Sequence, residues 1–233
     1  MKSNFEALTF TTFGYKHYTN NLLKSIEVNR VDLDVKVYAL DTESVKYFKK
    51  FHNNVEEFTT DNKLPSYMKQ KDDKFGELMF KKFQCIHKSL LSNEFALYID
   101  SDITIKKNIT EYLLNNIGYS DVIFQNDKDP RKPNRINMCA GFMFIKSNKK
   151  TLKFFNPENI PIEKISKYRT HDQTYINRNL AKFKYKSLPL DLFPNGANFY
   201  KNYSSIDPAI IHFNWILGEQ KVEYMKKFNE WYL

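Results

Sequence analysis

Hydrophobic and polar residues follow two periodicities in the first hundred positions. Apolar and β-branched runs, which are typical of buried strands, occupy residues 5–13, 34–40, 55–59 and 95–99. Between these runs, apolar residues recur at helical spacing, most clearly from Phe75 to Leu91. Strands that alternate with helices are typical of a parallel α/β sheet with right-handed crossovers. We therefore predict such a sheet for the first half of the chain.

The second half has a different pattern. Further strands are predicted at the following positions: 121–125, 140–145 and 209–213. A short helix is predicted at 173–180, and a C-terminal amphipathic helix would align Val222, Met225, Phe228 and Trp231. Prolines and a glycine between 189 and 196 indicate an irregular segment, and the polar stretch 61–74 is predicted to be a loop. No repeat, low-complexity tract or linker divides the chain, so we predict one domain over residues 1–233.

The composition supports a globular protein and excludes little else. The chain has 233 residues, 42% hydrophobic and 16% aromatic, and a formal net charge of +9. Its lysines are scattered, which is typical of a solvated surface rather than a nucleic-acid-binding face. We therefore predict no nucleic-acid partner, while a peripheral contact with an anionic membrane is compatible with the charge. The sequence gives no signal for the oligomeric state.

Two cysteines and the N-terminal sequence lead to an expectation about location. Cys85 and Cys139 are far apart and lack metal-ligand spacing, which favours a reducing compartment without a disulfide framework. The apolar run ending at Phe13 is too short to span a bilayer, and no signal peptide precedes it. We therefore expect a cytoplasmic protein without a transmembrane segment.

The main candidate for chemistry is Asp100-Ser101-Asp102, which directly follows the apolar strand at 95–99. Open α/β sheets bind ligands outside the carboxyl ends of their strands. Two carboxylates placed there repel each other unless a cation or protons neutralise them. A divalent ion with oxygen ligands would do so and would also hold a diphosphate. An ordinary turn with solvated acids also fits this pair.

A different class of enzyme also fits the motif. Together with Thr104, the two aspartates satisfy the Asp-x-Asp-x-Thr pattern of haloacid dehalogenase phosphotransferases, in which the first Asp is a nucleophile. Those enzymes carry the motif on their first strand and need an acidic pair on a later one. Here three predicted strands precede the motif and no compact acidic pair follows it. The phosphatase hypothesis is therefore the weaker alternative.

A distant C-terminal segment favours a metal site. His212 ends a predicted strand, and its imidazole would complete a metal site with the two aspartates. Gly218 would allow backbone amides to approach a phosphate, and Lys221 would add positive charge. Taken alone, His212 fits a core histidine with satisfied hydrogen bonds better than a metal ligand.

In combination, these residues resemble the nucleotide-diphospho-sugar transferases of the GT-A fold. The resemblance is closest to retaining enzymes similar to glycogenin, to galactosyltransferases and to a xylosyltransferase-like group, and it covers nearly the whole chain. Its blocks, in chain order, are Lys82, Asp100-Ser101-Asp102, Gly141-Phe142-Met143, Asp172-Gln173 and the segment from His212 to Lys221. It implies a single Rossmann-like α/β domain whose central sheet is mixed but mostly parallel and flanked by helices. It further implies a nucleotide-binding half at 1–102 and a half for sugar and acceptor at 103–233.

The resemblance also implies roles for individual residues. Asp100, Asp102 and His212 would bind the metal, Mn²⁺ or Mg²⁺, and Asp100 would border the nucleotide-sugar donor together with Ser101. Lys82 would lie near phosphate or a motif carboxylate.

Further residues would surround the donor and the acceptor. Gly218 and Lys221 would contact the diphosphate, while Thr11, Thr12 and Tyr15 would hold the base and ribose. Asp172 and Gln173 are the candidate catalytic pair and would contact donor-sugar hydroxyls or the acceptor. The segment 137–143 would line the sugar pocket, with room provided by Ala140 and Gly141.

One departure from the glycogenin-like pattern concerns the C-terminal segment. In that pattern a glycine follows the histidine after two residues and a Lys-Pro-Trp comes next, whereas here Gly218 stands six positions after His212. The expected activity is metal-dependent transfer of a sugar from a nucleoside diphosphate, with UDP favoured, to a glycan or other hydroxyl acceptor with retention. The alternatives are the phosphatase and a non-catalytic nucleotide-sugar-binding module.

Overall fold

The first half of the chain forms alternating strands and helices. The computed structural model describes residues 4–58, 75–132, 134–160 and 171–233. The elements of this half are β1 (Phe5–Thr11), α1 (Lys16–Val28), β2 (Val35–Ala39), α2 (Thr42–Phe48), β3 (Val55–Glu57), α3 (Phe75–Ser92) and β4 (Phe95–Ile99). The strands pair in parallel in the order β3-β2-β1-β4, which confirms the predicted parallel sheet.

The second half extends the sheet and adds a small second one. Its elements are β5 (Ile103–Ile105), α4 (Thr110–Ile117), β6 (Val122–Asn126), β7 (Met138–Lys146), α5 (Lys149–Phe155), α6 (Asp172–Arg178), β8 (Tyr185–Ser187), α7 (Gly196–Asn202), β9 (Ile210–His212) and α8 (Glu219–Lys227). The main sheet has seven strands in the order β3-β2-β1-β4-β7-β6-β8. Within it β7 runs antiparallel to both neighbours, and β5 pairs with β9 separately. The mixed, mostly parallel sheet of the predicted α/β fold is confirmed.

Helices cover both faces of the sheet because its strands are apolar at successive positions. In β4 every residue is buried. Leu97 and Ile99 pack with α1 and α4 on one face, whereas Ala96 and Tyr98 pack with α3, α5 and α6 on the other. Parallel strands covered on both faces lose the apolar–polar alternation of half-exposed strands. This explains the continuous apolar run that precedes the aspartates.

Several predicted boundaries were wrong for local reasons. The first strand ends at Thr11 rather than at 13, because Phe13–Tyr15 form a 3-10 turn and the Phe13 amide donates to Asp41. Asp41 also caps α2, since its carboxylate accepts from the Ser44 amide at 2.7 Å. The C-terminal helix ends at Lys227, and Asn229 beyond it has a left-handed backbone with φ 59°.

Other elements were not predicted at all. The helix α7 begins at Gly196, where the segment expected to be irregular ends, and its N-terminus is capped by the Asn195 side chain. The short strands β5 and β8 and the helices α4 and α5 were also missed. The predicted loop 61–74 lies outside the described residues. None of the described helices combines the length and the apolar character that crossing a bilayer requires.

Candidate active site

The site begins at the carboxyl end of β4. Asp100 and Asp102 lie in the turn between β4 and β5, and β5 pairs antiparallel with β9 so that Ile103 faces His212. This pairing places His212, which lies near the C-terminus of the sequence, beside the two aspartates. One ligand atom from each of Asp100, Asp102 and His212 lies within 4.8 Å of the others. The three side chains named from the sequence therefore form one cluster.

Gly141 on β7 makes this approach possible. Its carbonyl accepts from the Asp100 amide at 2.7 Å, which places the two backbones side by side. A Cβ atom at this position would overlap the Asp100 carboxylate and lie 2.5 Å from Cε1 of His212. The space left by the missing side chain is therefore filled by two cluster residues, whereas the sequence led us to expect a bound sugar there.

The orientation of the His212 ring is fixed from behind by Gln125. The amide nitrogen of Gln125 donates to the Pro194 carbonyl at 2.8 Å, so its oxygen faces His212 Nδ1, 2.7 Å away. An amide oxygen only accepts, and therefore Nδ1 carries the proton. Nε2, which lies 3.2 Å from Asp102 Oδ1, is then the ring nitrogen that would be available to a metal ion. The donor atoms of the cluster and the tautomer of His212 both suit a divalent cation.

Charge around Asp102 favours its ionised form. Burial alone would raise its pKa, but the Lys221 ammonium and the His212 ring outweigh burial and hold the pKa far below its usual range. The Lys221 ammonium lies 2.5 Å from Asp102 Oδ2. Burial opposes the charge on Lys221, yet the same carboxylate raises its pKa. Lys221 thus serves as a counter-charge of the cluster.

Gly218 sits at the N-terminus of α8, three residues before Lys221. Its φ is 60°, a conformation that glycine adopts readily and other residues rarely do. It is exposed, and its carbonyl accepts from the Tyr18 hydroxyl at 3.3 Å. The structure therefore brings Lys221 directly to the cluster and leaves Gly218 at the exposed start of the helix.

A buried lysine connects the cluster to the predicted catalytic pair. Lys82 is 1% exposed, and its ammonium lies 3.2 Å from Asp100 Oδ1 and 2.5 Å from Asp172 Oδ2. A third acceptor, the Ala140 carbonyl, is 3.0 Å away. Burial would lower the pKa of Lys82, but the two carboxylates outweigh it and raise that pKa. Of the two expected locations for this lysine, the structure shows the one beside a motif carboxylate.

A cleft of about 740 Å³ opens beside the cluster and Lys82, and the predicted catalytic pair, Asp172 and Gln173, lines it. The Gln173 side chain accepts from the Ala140 amide at 3.2 Å and donates to Asp127 at 2.8 Å. Asp127 is 7% exposed and receives further hydrogen bonds from Asn214 and Trp215. The cleft is thus lined both by the charged cluster and by a network of neutral donors around Asp127.

The predicted nucleoside-binding residues lie at the same edge of the sheet but outside the lining of this cleft. Thr11 ends β1, next to β4, Thr12 follows it, and both are almost fully buried. The Thr11 hydroxyl accepts from Thr19 and donates to the Thr12 carbonyl. Tyr15 belongs to the 3-10 turn, and its ring lies 6.3 Å from that of Tyr18. Ser101 occupies the turn between the motif aspartates.

Gln125 and Asp127 are two of the site residues that were not predicted from the sequence. Gln125 and Asp127 follow the same rule that identified Asp100, because β6 runs parallel to β4 and both strands end at one edge of the sheet. The signal was therefore present at the end of the predicted strand 121–125. The hydrogen bond to His212, by contrast, depends on β9, whose position no local pattern shows.

Comparisons with known proteins agree with this geometry. A sequence profile of the nucleotide-diphospho-sugar transferases matches residues 33–225. A UDP-galactose:fucoside alpha-3-galactosyltransferase of Dictyostelium discoideum is 24% identical over the whole chain. The chain spans only 44% of the length of that relative.

Solved structures share the fold at low sequence identity. The galactosyltransferase LgtC, in complex with donor and acceptor sugar analogues, is 12% identical with a TM-score of 0.64, covering 97% of this chain and 95% of its own. Mouse xyloside xylosyltransferase 1 is 12% identical with a TM-score of 0.53, covering 91% of this chain and 98% of its own. Such likeness supports the GT-A fold. The profile match covers most of the chain, including the residues of the cluster, and the protein belongs to the nucleotide-diphospho-sugar transferase family.

Proposed function

We propose that the protein is a metal-dependent glycosyltransferase that moves a hexosyl group from a nucleoside-diphosphate donor to a hydroxyl acceptor. The observation that carries this proposal is the convergence of Asp100, Asp102 and His212 within 4.8 Å of one another, beside Lys221 and in the lining of a large cleft. Family membership provides the donor class and favours a transferase over the phosphatase alternative.

The cluster is proposed to hold Mn²⁺ or Mg²⁺. Two carboxylates suit either ion, and the imidazole nitrogen favours Mn²⁺. Bound there, the cation would stabilise the charge that develops on the departing diphosphate. Lys221 is proposed to add a second positive charge to the same group by exchanging Asp102 for a phosphate oxygen. Gly218 would present backbone amides at the start of α8, where the helix dipole favours an anion.

The remaining roles follow the order of strands in the sheet. Thr11, Thr12 and Tyr15 lie on the β1 side of β4 and are proposed to border the nucleoside, together with Ser101. The sugar and acceptor would occupy the cleft on the β7 side. Residues 1–102 would thus supply the nucleotide-binding half and residues 103–233 the other half.

Transfer is proposed to retain the configuration at C1, with the departing phosphate taking the acceptor proton. Asp172 is bound to Lys82 at 2.5 Å, an arrangement that orients it and supplies a counter-charge. Gln173 is held between the Ala140 amide and Asp127, so its position in the cleft is fixed. We therefore assign both residues to sugar orientation. If the product were inverted, Asp172 would be the candidate base.

UDP-galactose is the first donor to test and a fucoside the first acceptor, because the Dictyostelium relative carries both in its name. A cytoplasmic location also remains our proposal. It is supported by Cys85 and Cys139, which are both unpaired and buried.

The first test is nucleotide binding followed by thermal unfolding. UDP is expected to raise the Tm only when Mn²⁺ is present, and Asp102→Asn is expected to abolish this shift. Asp207→Asn is the matched control, because the Asp207 side chain is 90% exposed and pairs with Lys107 on the surface. If no nucleoside diphosphate stabilises the wild-type protein with either cation, the proposal is wrong.

The second test is turnover. UDP release from UDP-galactose should depend on the acceptor, and NMR of the product should show the anomeric configuration of the donor. Tight UDP binding without turnover on any donor would favour the non-catalytic binding module. An inverted product would leave the transferase intact but contradict retention.

A further inference from the structure

Trp215 has a backbone conformation that is unusual for a large side chain. Three residues beyond His212, it lies in the left-handed region with φ 66°. A bulky residue in that region is strained and persists only where its surroundings hold it. Such strain is concentrated at functional sites.

Polar contacts fix Trp215 from one edge of its ring. Its indole N–H donates to Asp127 Oδ1 at 2.7 Å, and the neighbouring Asn214 side chain donates to the same oxygen at 3.0 Å. The Asn214 carbonyl accepts from the Tyr200 hydroxyl at 2.8 Å. Its side-chain oxygen accepts from the Gly196 amide at 2.6 Å. Hydrogen bonds therefore hold both the backbone next to Trp215 and the edge of its indole ring.

The same residue remains exposed at the cleft. Trp215 is 41% exposed and lines the cleft together with Ile136, which is 62% exposed. In the part of the chain that the structure describes, no aromatic ring or cation lies over the indole. Exposed apolar side chains at the border of a polar cleft are typical of a binding surface.

We propose that Trp215 is a stacking platform for the pyranose ring of the acceptor, an inference that rests on the proposed transferase function. A pyranose has an apolar C–H face that packs on an aromatic ring and hydroxyl groups at its edge. Polar groups for those hydroxyls are provided by Asn137 and Gln173, which donate to the same Asp127 carboxylate as the indole and line the cleft. An anchored ring next to amide groups thus matches the two-sided chemistry of a sugar.

The sheet order favours the acceptor over the nucleotide base as the stacked group. Asp127, which anchors the indole, follows β6, two strands from β4 on the β7 side. The residues proposed for the nucleoside follow β1, on the opposite side of β4. The metal cluster at the end of β4 lies between these two positions. A ring on the β6 side therefore faces the acceptor rather than the base.

The experiment uses Trp215→Gly, because glycine accepts a φ of 66° and the substitution removes the ring without adding strain. Trp215→Phe keeps a ring but loses the N–H donor. Tyr119→Ala is the control, as Tyr119 is an aromatic residue that is 97% exposed. A panel of methyl pyranosides, including the α-fucoside and the β-galactoside, is titrated calorimetrically in the presence of UDP and Mn²⁺, and UDP is titrated separately.

Loss of the stacking contact in Trp215→Gly is expected to weaken pyranoside binding about tenfold, with UDP affinity unchanged. Trp215→Phe should retain most of the binding, and Tyr119→Ala all of it. Unchanged pyranoside binding in Trp215→Gly, a selective loss of UDP affinity, or no pyranoside binding by the wild type would each overturn the platform. Failure of the wild type to bind UDP would instead overturn the proposed function, so the two results are distinguishable.

Discussion

Gly141 shows how a single missing side chain shapes the cluster. Because a Cβ atom there would overlap the Asp100 carboxylate, Gly141→Ala must move Asp100 or the ring of His212. Alanine itself is tolerated in a strand, so we expect the protein to fold. Mn²⁺ affinity should fall about 10–100-fold, the range for disturbed ligand orientation. A Mn²⁺ titration followed by electron paramagnetic resonance measures this, and unchanged affinity in a folded variant would contradict the geometry.

Gln125 acts on the cluster through the tautomer of His212. Gln125→Leu removes the acceptor for the Nδ1 proton, and we expect Mn²⁺ affinity to fall about 10–100-fold. Gln125→Glu is the matched variant, because its carboxylate keeps an acceptor at this position, and it should retain most of the affinity. Equal losses in both variants would show that the amide matters only for packing against the Pro194 carbonyl.

At the scale of secondary-structure elements, Asp121 joins three parts of the second half. Its carboxylate accepts from the Asn148 side chain at the start of α5, at 2.9 Å, and from the Lys184 amide before β8, at 2.8 Å. Lys150 adds an ion pair at 3.3 Å, although its side chain is 54% exposed. A carboxylate with several donors is a strong local tie between elements.

Asp121 should therefore make the free energy of unfolding depend on pH in the acidic range. Burial opposes its ionisation, but the Lys184 amide, Lys150 and Asn148 outweigh burial and lower its pKa. Its contribution is complete above the unfolded pKa of about 3.9 and is lost as pH falls through the lower folded pKa. Asp121→Asn should reduce the free energy of unfolding by about 1–2 kcal/mol at neutral pH. The difference from wild type should shrink below about pH 4, as urea unfolding at several pH values will show. A difference that stays constant into acid would contradict this assignment.

Elements that rest on local patterns were predictable, and those that rest on distant pairing were not. The run from Phe95 to Ile99 is continuously apolar, and α3 repeats apolar residues at helical spacing, so both are evident in the sequence. The strand β5 has only three residues and exists because β9 pairs with it. For α7, a proline before Gly196 masked the helix, although the Asn195 cap was present as a signal.

At the scale of the whole molecule, the candidate site exists because the end of the chain returns to its middle. Residue types at the end of β4 and the family resemblance were enough to name Asp100, Asp102 and His212. Their distances follow from the register of β5 against β9, which no spacing along the chain encodes. The position of Trp215 at the cleft was likewise unpredictable, since its anchor, Asp127, lies at the end of another strand.

The C-terminal segment is locked to β5 and α1 by a network around a buried carboxylate. Glu230 is 5% exposed and bonds the Lys106 ammonium at 2.6 Å, the Thr104 hydroxyl at 3.1 Å and the Tyr232 hydroxyl at 2.8 Å. Asn21 on α1 adds hydrogen bonds to the backbone at Glu230 and Tyr232. This network holds the end of α8, the helix that carries Lys221.

Glu230→Gln tests whether the lock stabilises the whole protein and the position of α8. The substitution keeps the shape but removes the charge facing Lys106, so we expect a loss of about 1–3 kcal/mol in the free energy of unfolding. Glu223→Gln on the exposed face of α8 is the control and should change stability by less than about 0.5 kcal/mol. If α8 depends on the lock, UDP affinity measured with Mn²⁺ should also fall in Glu230→Gln, because Lys221 is less well placed. Lower stability with unchanged UDP affinity would show that the Glu230 network contributes to folding alone. Unchanged stability would contradict the proposed role of Glu230.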